Sequence, residues 1–169
     1  NNITYEYAVS ATYPDGGESV MSEIVSATPL YSTVNEEGYD DGSFEVEFNA
    51  GSGNFSAVKF SANLSGEEVV RFKWFQIEYG GVFYFKVWED EGGMPGMEIY
   101  SALQASGNED GWNTEDLSEE GLEVSGDFWV GTKEFSASNP FGLDTTSVSG
   151  NSYKRIGENG NWEAVEGNL

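Results

Sequence analysis

The chain has 169 residues, 30 of them acidic and 7 basic, for a formal net charge of -23, with no cysteine and no histidine. That balance excludes nucleic acid and anionic membrane surfaces as partners, because like charges repel, and it favours counterions, calcium or basic partners. The missing residue types exclude a disulfide framework, a Ser-His-Asp triad, a Cys-His pair and any zinc site ligated by His or Cys.

No apolar run reaches the length of a membrane-spanning helix, so membrane insertion is not expected. The length suits one full domain plus a fragment, or one large sandwich. The first residues are Asn1-Asn2 with no leader, and the expectation is a processed or excised piece of a secreted parent. Three glycosylation sequons occur, at Asn2, Asn54 and Asn63, about what chance gives in a chain this rich in Asn, Ser and Thr.

Helical periodicity is almost absent. Short alternating runs separated by Gly, Asn, Asp and Ser clusters, with aromatics at 15%, predict an all-β chain. The first run, from Ile3 to Tyr13, places Tyr5, Tyr7, Val9 and Ala11 on one face by period-two alternation. Pro14 to Ser19 reads as a turn, and a second strand from about Val20 to Ala27, carrying Ile24 and Val25, completes a long β-hairpin.

The pattern Tyr5-x-Tyr7-x-Val9-x-Ala11, then Asp15-Gly16-Gly17-Glu18-Ser19, Ser22-Glu23 and Val25-Ser26-Ala27-Thr28, resembles the final hairpin of a fibronectin type III domain. The resemblance covers about residues 3–29, implies the tyrosine-corner position for Tyr5, and leaves the earlier strands of such a domain unaccounted for. An isolated hairpin is marginal in water, so its apolar face and open edge need a partner. The alternatives are strands removed from the fragment, the chain's own second part, or a neighbouring subunit completed by strand addition.

Residues 30–40 read as a junction, giving a partial domain at 1–30, a linker at 31–40 and a second module at 41–169. Strands are predicted at 43–49, 55–62, 67–79, 82–89, 97–104, 112–117, 127–135, 141–147 and 151–156, with a short one near 160–165. This spacing predicts an antiparallel, jelly-roll-like β-sandwich. Alternation assigns Phe83, Phe85 and Val87 to the core, with Tyr84, Lys86 and Trp88 opposite. Phe72 and Trp74 share a face, opposite Arg71, Lys73 and Phe75.

The run Val70-x-Phe72-x-Trp74, Phe83-x-Phe85-x-Val87-x-x-Asp90-x-Gly92-Gly93-x-Pro95-Gly96, Gly111-Trp112-Asn113 and Gly126-Asp127-Phe128-Trp129-Val130-Gly131 resembles β-sandwich modules that follow fibronectin type III repeats in large secreted bacterial surface proteins. The resemblance implies an extracellular or cell-surface location and no defined chemistry.

Thirty acids make accidental carboxylate pairs certain, and the E-x-D-x-x-E pattern of one jelly-roll glycosidase group is absent. Glu78, Glu89, Glu98 and Glu115 therefore read as solubilising acids. Calcium is the candidate cofactor, in a structural role, because it takes oxygen ligands from flexible acidic loops. Those loops supply Asp40 and Asp41, Asp90 and Glu91, and Asn108 and Asp110, although such residues also stabilise plain turns. Tyr84, Trp88 and Trp112 are candidates for a carbohydrate platform, against the general preference of aromatics for strands and cores. Gly51-Ser52-Gly53 and Gly157 to Gly160 lack the Lys and the strand-to-helix context of a phosphate loop.

The expectation is a non-catalytic extracellular structural or adhesive module, in the form of a filament subunit that donates its hairpin to neighbouring copies or packs on adjacent domains of a larger parent. The alternative is a carbohydrate- or protein-binding module of a secreted enzyme.

Overall fold

A computed structural model describes residues 4–27, 34–63, 66–105, 107, 110–135 and 139–169. The chain divides into two compact units, Asn1–Glu36 and Glu37–Leu169. Among the described residues all regular structure is β, as the alternation predicts.

In the first unit, β1 (Tyr5–Tyr7) pairs antiparallel with β2 (Val25–Ala27), Tyr5 opposite Ala27 and Tyr7 opposite Val25. Regular pairing is shorter than the predicted hairpin, because the second arm is irregular. Ser22 and Ser19 each give a backbone N–H, to Val9 and Ala11 carbonyls, while their hydroxyls accept the N–H groups of the same two residues. Towards the turn the ladder resumes with a bridge between Thr12 and Glu18. Gly16 takes φ +84° there, a left-handed conformation open to glycine at no steric cost.

The second unit is an antiparallel sandwich. Its strands are β3 (Val46–Phe48), β4 (Phe55–Ser61), β5 (Glu67–Glu68), β6 (Arg71–Gln76), β7 (Phe83–Asp90), β8 (Pro95–Gln104), β9 (Gly111–Asp116), β10 (Glu123–Val124), β11 (Asp127–Glu134), β12 (Phe141–Leu143), β13 (Ser152–Arg155) and β14 (Trp162–Ala164). The larger sheet has the order β14-β13-β4-β11-β7-β8, the smaller β3-β12-β6-β9, and β10 pairs with β5. The run predicted as one strand over 67–79 is two, because pairing breaks at Val69 and Val70.

Phe83, Phe85 and Val87 are fully buried between the sheets. They meet the inward face of β6 and β12, with Phe72 4.2 Å from Phe85, Trp74 5.6 Å from Phe83, and Phe141 5.5 Å from Phe83 between ring centroids. Leu117, Leu122 and Val124 extend this core. Each buried side chain of this size contributes about 1.5–3 kcal/mol, enough to hold a domain without disulfides.

The larger sheet is buried on its second face as well. Phe55, Ala57, Trp88 and Trp129 form a separate core there, with Tyr153 and Trp162 packed against it. Four cations stand over its rings: Lys59 over Trp129, Lys86 over Tyr84, Lys133 over Phe55, and Arg155 over both Phe55 and Trp162. All four pair with carboxylates, Lys59 with Asp127 and Asp90, Lys86 with Glu98, and Lys133 and Arg155 with Glu158. Charges this close to a core need such partners. Tyr39, placed in the junction by composition, stacks on Phe60 of the sandwich at 5.4 Å.

Candidate functional site

The hairpin keeps its apolar side chains in solvent. Tyr5 is 47% exposed, Tyr7 56% and Val25 66%, and Val9, Tyr13, Val20, Met21 and Ile24 are exposed with them. The rings of Tyr5 and Tyr7 lie 6.4 Å apart, which is the shared face that alternation predicts. Ala11 is exposed too. The sequence from 4 to 27 holds Glu6, Asp15, Glu18 and Glu23 and no Lys or Arg, so this surface is apolar and purely anionic. Its backbone is well tied. Asp15 accepts the Gly17 N–H at 3.1 Å, and Tyr13 exchanges bonds with Gly16 and Gly17.

Three of the candidate calcium ligands, Asp40, Asp41 and Asp90, accept hydrogen bonds within the protein. Asp40 accepts the Gly42 N–H at 2.9 Å, while Asp41 accepts the N–H and hydroxyl of Ser43 at 3.1 and 2.7 Å. Those Ser43 bonds hold the Asp41 carboxyl below its ordinary range. Asp90 takes the Gly93 N–H at 2.9 Å on one oxygen and the Trp129 indole N–H at 2.8 Å on the other. Glu91 is exposed, and Asp110 sits in the left-handed region at φ 49°. Asn108 lies outside the described residues. Among the described residues, no three Asp, Glu, His or Cys side chains gather in a way that could hold a metal ion.

Beside Asp41 lies a denser polar knot. The buried Asp144 carboxylate accepts hydroxyls of Thr146 and Ser147, both at 2.7 Å, and the Asp41 N–H at 3.2 Å. Asn168, also buried, donates to the Tyr39 carbonyl at 2.8 Å and accepts the Ser149 N–H at 3.0 Å. Sequence reasoning did not pick out this pair, since 24 residues separate its members and Asn168 lies outside every predicted strand.

No family model, curated protein or solved structure matches the chain.

The three candidate platform rings do not form one platform. Trp88 is 4% exposed, packed against Trp162 in the second core, and is not available to stack a sugar. That corrects its place among the candidate platform rings. Alternation separates the two faces of β7 but cannot show that both are covered. Tyr84 lies on the same sheet, edge-on to Phe135 at 5.6 Å. Trp112 belongs to the smaller sheet and is 45% exposed.

Trp112 has neighbours that sequence reasoning did not single out as a site. On the outer face of the smaller sheet its ring meets Phe75 edge-to-face at 5.6 Å, and Phe75 meets Phe44 at 4.5 Å. Gly142 makes room for this strip, because a Cβ there would lie 3.0 Å from Phe44 and 3.3 Å from Phe75. Lys73 stands over Trp112 at 5.3 Å, and Arg71 faces Asp116 across the same surface. Alternation shows that Phe75, Lys73 and Arg71 share a face. Phe44 precedes β3, and alternation over the strand predicted at 43–49 groups it with Val46 and Phe48, so it gives no sign of joining this strip.

Proposed function

We propose that the chain is a non-catalytic structural module of an extracellular or cell-surface assembly, joined to its neighbours through the N-terminal hairpin. One observation carries this reading. A two-stranded hairpin with tied backbone leaves Tyr5, Tyr7, Val9, Val25 and their neighbours in water. Apolar surface of this kind is stabilised by burial against a partner, at about 25 cal/mol for each Å² covered. The resemblance to a fibronectin type III hairpin and to modules of secreted surface proteins supports the location. The strong acidity supports solubility in an extended assembly.

Sedimentation velocity over a concentration series tests the reading. The wild-type chain is expected to grow beyond the monomer with concentration, and Tyr7→Glu combined with Val25→Glu to remain monomeric. A wild-type chain that stays monomeric, with the hairpin protected from proteolysis on its own sandwich, overturns it. Glycan binding is the second reading and rests on Trp112, the most exposed of the three candidate rings. Retention on a glycan array that Trp112→Ala abolishes would favour it.

A further inference from the structure

We infer that Asn159 is a modification site: with Gly160 it deamidates and isomerises spontaneously through a cyclic imide, and the altered turn loosens the edge strand β14.

The pair lies in the turn between β13 and β14, and it is the single Asn-Gly step in the sequence. The turn demands glycine, because a Cβ on Gly160 would lie 2.1 Å from the Ile156 carbonyl oxygen. The same missing side chain leaves the Gly160 nitrogen unshielded towards the amide carbon of Asn159. Asn159 is exposed, and among the described residues neither its amide nor the Gly160 N–H has a hydrogen-bond partner. Asn54 and Asn168 differ on both counts. Their amides are held by the Ala50 and Tyr39 carbonyls at 2.6 and 2.8 Å, and bulky residues, Phe55 and Leu169, follow them.

The reaction needs only water. The Gly160 nitrogen bonds to Asn159 Cγ and gives up its proton. The bond from Cγ to Nδ2 breaks, and the amide nitrogen leaves with that proton as ammonia. Water then opens the ring at either carbonyl and leaves an aspartyl or an isoaspartyl residue. Nothing is oxidised or reduced.

The product strains the turn because both sides of the pair are fixed. Before it, the Gly157 N–H bonds Asn54 Oδ1 at 2.8 Å, and Glu158 pairs with Lys133 and Arg155. After it, Trp162 pairs with Arg155 in the β13–β14 ladder. Either product adds a negative charge beside Glu158, and the isoaspartyl form also adds a methylene to the main chain between these fixed points. Turn length sets the register of a hairpin, so β14 shifts and Trp162 moves off Trp88.

Ageing the purified chain in mildly alkaline buffer tests this, with anion exchange to separate acidic species and mass mapping of the tryptic peptide that begins at Ile156. Wild type in urea, Asn159→Gln and Asn159→Asp run beside it. A more acidic species altered at Asn159 is expected to form at a rate within about tenfold of that in urea, since turns open locally at little free-energy cost. Asn159→Gln is expected not to form it. The aged fraction is expected to melt below Asn159→Asp, which has the charge without the methylene. Alteration that maps to other asparagines, an acidic species that persists in Asn159→Gln, or a folded rate more than about a hundredfold below that in urea overturns the site. An aged fraction that contains isoaspartate and melts like Asn159→Asp overturns the loosening of β14.

Discussion

The ring of Trp162 stands 5.9 Å from that of Trp88 at an interplanar angle of 78°, although β14 and β7 are four places apart in the larger sheet. Neighbouring strands lie about 4.8 Å apart, so a flat sheet would separate these residues by about 19 Å. The sheet therefore curls its β13–β14 edge back over its own outer face. Truncation should expose this. Trp88→Ala is expected to cost about 3–5 kcal/mol, and Trp162→Ala, only half-buried, about 2 kcal/mol. Urea melts followed by fluorescence give both values. Equal and negligible losses would show that the curled edge contributes nothing.

Gly131 is central to the curl. It pairs with Ala57 between β11 and β4, and a Cβ on it would lie 2.0 Å from the Ser56 carbonyl oxygen and 2.7 Å from the Ala57 Cα. The obstacle is backbone, which cannot step aside as a flexible side chain can. Gly131→Ala is expected to destabilise by about 1–3 kcal/mol or more, with a change in Trp129 emission. A melt indistinguishable from wild type would mean that the strands can separate freely there.

Glu134 is fully buried and accepts the N–H groups of Ala50 and Gly51, at 2.8 and 3.0 Å, on one oxygen and that of Asn139 at 3.0 Å on the other. Burial pushes its carboxyl up, against the pull of these three donors. Its raised folded value means that its ionised form is disfavoured by folding, so its contribution improves as pH falls through that value. Glu134→Gln removes the charge but turns an amide N–H towards a backbone N–H. The unsatisfied donors should cost about 1–3 kcal/mol at neutral pH. A more stable variant would show that desolvation outweighs the donors.

Asp144 shows the opposite dependence. Hydroxyl bonds from Ser147 and then Thr146 hold its carboxyl far below the ordinary range. A depressed folded value gives stability that is present above the unfolded value, about 3.9, and is lost as pH falls through the folded one. Wild type should therefore lose stability steeply below about pH 4. Asp144→Asn should be less stable at neutral pH and show a shallower acid slope. Parallel slopes for the two proteins would remove Asp144 from the account.

Alternation made the sandwich legible because its strands are long and its inner face is rich in Phe, Trp and Val. The set Phe83, Phe85 and Val87, and the pair Phe72 and Trp74, follow from period two alone. Burial of Trp88 does not, because it depends on an edge that closes from more than 70 residues further along the chain. The pairing of β10 with β5 spans two residues in each strand, too few for any pattern to register. Leu117 and Leu122 enter the core from a connecting segment, where side-chain direction follows no period. The apolar hairpin face was readable in Tyr5, Tyr7 and Val9. The aromatic strip was only partly so, since Phe44 reaches it from outside a strand.

Near the C-terminus, Asn168 bonds the Tyr39 carbonyl through its side chain, while its backbone exchanges two bonds with Asp144 at 3.0 and 2.7 Å. The two extremities of the sandwich unit are thus fastened to one another at a single corner. Traction applied between Glu37 and Leu169 would load that fastening before it reached the long strand ladders.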